Sequence, residues 1–212
     1  MANILVLETA RDTLGFDRGS GRLLSLRPKL TPDKELLAPD PAHPAFALQV
    51  LGEDGEFRHV DSTSSKQATV THAKSVSGQD LTMVFTGVGD LDLDVTLTVK
   101  TSTSDPFSRW GCTLRNGAGI RVVDIQFPLV VVPPTAGIVL PTGHGGQFIT
   151  GADVSNLPSD EPRRWQLIPE NGNSPHYPGR FFAQFMASIG PGAGVYLACD
   201  DTAGNVKLIQ PV

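Results

Sequence analysis

The chain has 212 residues, 40% of them hydrophobic and only 18% charged, a balance that supports a folded core and excludes a disordered chain. Its formal net charge is −5, from 17 basic and 22 acidic residues, which argues against nucleic acid or an anionic membrane as the main partner. Glycine (22) and proline (17) exceed average usage and point to many turns.

The opening residues Met1 to Glu8 carry no basic segment and only a short apolar stretch, so they read as neither signal peptide nor anchor. No run approaches the roughly 18 apolar residues of a membrane-spanning helix. Ile125 to Val132 comes nearest and contains Gln126 and Pro128. A soluble, cytoplasmic chain is expected.

In chain order, Ile4 to Glu8 reads as the first strand and Leu14 with Phe16 marks the second. Gly19-Ser20-Gly21 then turns the chain into Leu23 to Arg27. From Pro28 to Pro44 five prolines make a long irregular connection. Ala45 to Leu51 and Phe57 to Val60 flank Gly52-Glu53-Asp54-Gly55 as a hairpin. Lys66 to Ser77, Leu81 to Phe85 and Leu91 to Lys100 follow as antiparallel strands. The last is the strongest signal, with apolar residues at 91, 93, 95, 97 and 99. Later strands are Ser108 to Leu114, Ile120 to Val132, Ile138 to Leu140, Phe181 to Ser188, Ala193 to Cys199 and Val206 to Gln210. Trp110, Cys112 and Leu114 share a face and are expected in the core. Helical periodicity is missing throughout. The expectation is an all-β antiparallel sandwich.

Catalytic chemistry is hard to place on these residues. No Gly-x-Ser-x-Gly elbow occurs, and Gly19-Ser20-Gly21 is better explained as a turn. His43, His59, His72, His144 and His176 are widely separated and no Cys-x-x-Cys occurs, so a metal site would need assembly across strands. Asp90, Asp92 and Asp94 fall on one extended face and lack the glycine and distal glutamate of a calcium loop. Gly190-Pro191-Gly192-Ala193-Gly194 lacks a following helix and reads as a hairpin turn. No acid and base carboxylates stand out as a glycosidase pair. No catalytic residue, no resident metal and no cofactor are expected. Cys112 and Cys199 sit in apolar runs and are expected as buried thiols, with a disulfide as the alternative.

The stretch 141–180 breaks the strand rhythm and reads as a long functional or interface loop. It offers His144, Trp165, His176, Tyr177 and Arg180. Aromatic faces stack on sugar CH groups while polar neighbours pair with hydroxyls, so this inventory suits a sugar or, equally, the wet rim of a domain interface. Gln184 shares a strand face with Phe182 and Met186, as either a buried amide or a group facing a site.

Several segments carry a family likeness: Leu14 to Leu26, Trp110 to Asn116, Val123 to Pro128, Leu140 to Gly143, Tyr177 to Gly179, Phe182 to Ala187 and Gly194 to Lys207. In order and spacing they resemble the N-terminal galactose-mutarotase-like β-supersandwich domain of bacterial glycoside-hydrolase-like proteins. The resemblance implies one sandwich domain over 1–212, the N-terminal part of a longer chain, followed by a (β/α)8 barrel that carries the catalytic carboxylates. It implies a non-catalytic accessory domain of a carbohydrate-active glycoside hydrolase, with carbohydrate and that barrel as partners. A stand-alone carbohydrate-binding module is the alternative. An aldose epimerase ranks lower, because the catalytic His and Glu of true mutarotases have no counterpart placed here.

Overall fold

The computed structural model describes residues 3–39, 43–133, 137–141, 147–149, 176–177, 183–202 and 207–208. The chain forms two compact units, Met1–Val131 and Val132–Val212. The described residues are mostly antiparallel strand, with two single-turn 3-10 helices at Ser62–Ser64 and Val88–Asp90.

In the first unit β1 (Ile4–Glu8), β2 (Asp12–Asp17) and β3 (Leu23–Pro28) form a three-stranded meander. The hairpin of β4 (Ala47–Leu51) and β5 (Phe57–Asp61) is joined to β10 (Arg121–Gln126) along the far edge of β4. Between them in sequence, β6 (Gln67–Lys74), β7 (Gly78–Thr86), β8 (Leu93–Ser102) and β9 (Arg109–Asn116) make a four-stranded sheet in chain order.

Strand period fixes the core. Successive side chains point to opposite faces, so Leu81, Met83 and Phe85 of β7 lie beside Leu93, Val95, Leu97 and Val99 of β8, none more than 1% exposed. Leu5 and Leu7 of β1, Leu14 and Phe16 of β2 and Leu48 and Val50 of β4 complete the same cluster. One core therefore joins three sheets in a sandwich-like arrangement, each such side chain contributing about 1.5–3 kcal/mol of burial. Phe46 meets Phe85 edge-on at 5.1 Å. Trp110, half-buried, bridges Phe16 at 5.5 Å and Phe127 at 5.9 Å.

Local chemistry sets the turns. After β2, Asp17 accepts from the Ser20 amide and hydroxyl, and Arg22 Nε donates to the Ser20 oxygen. Ser20 thus serves the turn. Gly21 has φ +69, and a Cβ there would lie 2.7 Å from Met83 Sδ, so both backbone and packing require glycine. The proline-rich connection is tied down by Glu35. Its carboxylate accepts from Ser25 Oγ, the Leu26 and Leu37 amides and Arg27 Nε.

Two strands depart from the bounds the alternation implies, β8 by a shift of two residues and β10 by an early end. Gly87, Gly89 and Asp90 all adopt positive φ, and Leu91 N donates to Val88 O, so the turn consumes Leu91 and Asp92 and β8 begins at Leu93. Asp90 accordingly leaves the face it was expected to share, while Asp92 and Asp94 both accept from Arg115. β10 stops at Gln126 because Pro128 cannot extend a ladder, and its register shifts between Val122 and Asp124.

In the second unit β11 (Gly137–Leu140), β12 (Gln147–Ile149), β14 (Phe185–Gly190) and β15 (Ala193–Ala198) form an antiparallel sheet in the order β12-β11-β14-β15. A ribbon pairs β13 (His176–Tyr177) with β16 (Lys207–Leu208). Among the described residues of this unit, Ile138, Leu140, Pro141, Ser188 and Val195 have buried side chains. Pro191 and Gly192 (φ +80) close the β14–β15 hairpin, as Gly190-Pro-Gly-Ala-Gly194 requires. Phe181 and Phe182 lie outside the described residues, and the expected strand from 181 starts at Phe185.

Candidate functional site

The β14–β15 register builds the site. Phe185 pairs with Ala198 and Ala187 with Tyr196, which puts all four on the face opposite buried Ser188 and Val195. With alanine at 187 and 198 the two aromatic rings reach each other along the diagonal. They stack with centroids 5.6 Å apart and planes 29° apart. Tyr196 is 51% exposed.

The strand ends add polar groups. Cys199 N donates to Gln184 O, which carries the pairing one step past β15. Gln184 Nε2 donates to Asp201 O at 2.9 Å. A backbone carbonyl only accepts, so this bond fixes which end of the amide is which. Gln184 Oε1 is buried and has no hydrogen-bond partner. A buried acceptor left unpaired costs about 1–3 kcal/mol.

Between these groups lies an open-sided cavity of about 270 Å³, bordered by Ala183, Gln184, Phe185, Tyr196, Ala198, Cys199 and Asp200. Its border combines the Phe185–Tyr196 pair with the polar strand ends. One of the two Gln184 amide N–H donors is used by Asp201 O. That combination suits a ligand with an apolar face and hydroxyl donors.

Of the residues expected from sequence, Gln184 is the one the described structure places at the border of this cavity, with its amide oxygen buried. His144, Trp165 and Arg180 lie outside the described residues, as does most of 141–180. His176 and Tyr177 form β13, paired with Leu208 and Lys207, and their side chains lie outside the description. Cys199 corrects the expectation of two buried thiols. It follows the last residue of β15 and is exposed, whereas Cys112 is half-buried. Both are free. Burial pushes the Cys112 thiol up to about 11, a value that keeps it protonated and inert.

Phe185, Tyr196 and Asp200 were not singled out from sequence. Their signal was small residues alternating with aromatics across a hairpin whose register Pro191-Gly192 fixes. Among the described residues no group of three His, Cys, Asp or Glu side chains gathers to hold a metal. No described helix is long and apolar enough to cross a membrane. No protein-family model matches the chain, and no curated protein matches it.

Proposed function

We propose that this chain is a non-catalytic accessory domain of a carbohydrate-active glycoside hydrolase. In this reading it packs against a catalytic (β/α)8 barrel and holds a neutral sugar ring at the Gln184–Tyr196 cavity. The observation that carries the sugar contact is the Phe185–Tyr196 stack at the border of the open cavity. A pyranose lays its CH face on Tyr196 and turns its hydroxyls to the polar strand ends at Gln184 and Asp200. Acidic Asp200 borders the cavity, so a carboxylate or sulfate meets like charge there. The barrel partner rests on the segment resemblance from Leu14 to Lys207. Two free thiols are what a reducing compartment maintains, which supports a cytoplasmic location.

Calorimetric titration of the whole chain with methyl glycosides and the matching methyl uronides tests the sugar contact. Saturable millimolar binding of the neutral forms is expected, with the uronides at least tenfold weaker. Silence with every neutral sugar would remove the contact. The accessory role predicts that the coding sequence after Val212 encodes a barrel with paired carboxylates.

A further inference from the structure

Asn116 ends β9 and Gly117 follows it, and both residues are exposed. Asparagine before glycine readily loses its side-chain amide, because no Cβ hinders attack by the next backbone nitrogen. The Gly117 nitrogen bonds to Asn116 Cγ, the Cγ–Nδ2 bond breaks, and the Gly117 proton leaves with the nitrogen as ammonia. Water then opens the succinimide at either carbonyl, which gives aspartate or isoaspartate. In the fold both reacting groups are engaged. Gly117 N donates to Asp92 O at 2.8 Å, and Ala118 N donates to the same oxygen at 3.1 Å. Asn116 Nδ2, the leaving nitrogen, donates to Ile120 O at 2.6 Å. A Cβ built on Gly117 would collide with the Asp92 carboxylate, so that anion lies against the backbone. It opposes the negative charge that the attacking nitrogen must develop.

We infer that Asn116 is a gated self-modification site: it deamidates when the connection from β9 to β10 opens and frees Gly117 N, and the product hinders reclosure. Opening breaks these three hydrogen bonds at an exposed strand end, a local event that leaves the core of the first unit intact. The aspartate product has no N–H to give Ile120 O. It also adds a carboxylate close to Asp92, which with Asp94 already shares the Arg115 guanidinium. Isoaspartate inserts a methylene into the backbone and draws Gly117 N off Asp92 O. Either product makes the next opening easier, so the conversion runs one way and marks chains whose connection has opened. The site lies in the first unit and is independent of the sugar contact.

The test holds the whole chain at pH 8 in buffer and in unfolding urea, and follows Asn116 by peptide mapping that separates its aspartate and isoaspartate forms. Conversion is expected to run tenfold or more slower in buffer than in urea. Hydrogen exchange of the Gly117 amide should be slowed by the same factor, since one opening frees the same N–H for both reactions. Equal conversion rates in the two solvents, or a Gly117 amide that exchanges as fast in buffer as in urea, would overturn the gate. Conversion slowed far beyond the Gly117 protection would tie the reaction to global unfolding and overturn it as well. Asn116→Asp, which carries the aspartate product from the start, should speed Gly117 exchange threefold or more at pH 7. Unchanged exchange in that variant would overturn the hindered reclosure.

Discussion

Phe185 and Tyr196 stack across a hairpin whose facing positions, Ala198 and Ala187, are too small to keep them apart. The stack gives the second unit an aromatic surface, and Gln184 at the strand end can be changed without removing that surface. Gln184→Met deletes one hydrogen bond to Asp201 O and also the unpaired Oε1. These terms oppose each other, so denaturant midpoints should move by less than about 1 kcal/mol. Neutral sugar affinity should fall tenfold or more in calorimetry. A loss of stability with affinity retained would make Gln184 structural.

Gly21 and Gly119 separate backbone strain from packing. Both have φ near +70, but a Cβ at Gly21 meets Met83 and Phe85 whereas one at Gly119 meets nothing. Gly119→Ala should cost only the left-handed penalty, about 1–2 kcal/mol. Gly21→Ala adds overpacking and should cost about 2–4 kcal/mol. Urea unfolding of both variants reads the difference directly. Equal losses would mean that the turn moves aside.

Much of this arrangement was legible in the residues. Leu93, Val95, Leu97 and Val99 alternate because β8 buries one face, as Leu81, Met83 and Phe85 do on β7. Chain turns were less legible. The turn after β7 runs through Leu91 and Asp92, two residues that alternation assigns to the strand, because positive φ at Gly87, Gly89 and Asp90 delays its start. Gln184 was left between two roles because its partners, Asp201 O and Cys199 N, are set by a hairpin register and not by neighbours in sequence. Phe148 gave still less warning, since its ring lies over Gly137 of the neighbouring strand.

Acid sensitivity should trace to Glu35. Burial pulls its carboxyl upward, but hydrogen bonds from Leu26 N, Ser25, Arg27 and Leu37 N together hold it below the ordinary glutamate value. A depressed folded-state pKa stabilises the fold above the unfolded value, near 4.3, and that stabilisation is lost as pH falls through the folded value. Asp12 acts in the opposite sense, since burial raises its carboxyl and favours the protonated form in the fold. Glu35→Gln should therefore cost about 1–2 kcal/mol at pH 7, allowing for solvent screening. The gap from wild type should narrow below about pH 4. Guanidinium titrations from pH 3 to 7 check both statements. A gap independent of pH would show that Glu35 charge contributes nothing.

The two thiols should differ in reactivity. At pH 8 Ellman's reagent should label exposed Cys199 quickly, and Cys112, protonated and half-buried, much more slowly. Cys199→Ser should remove the fast phase. A saturating neutral oligosaccharide should slow labelling of wild type, because Cys199 borders the cavity. Labelling indifferent to sugar would place the ligand elsewhere.

The most direct measurement is an amide NMR titration of the whole chain with a neutral tetrasaccharide. Shifts centred on residues 183–187 and 196–200 are the predicted result. Saturating sugar that perturbs none of these amides would contradict the account.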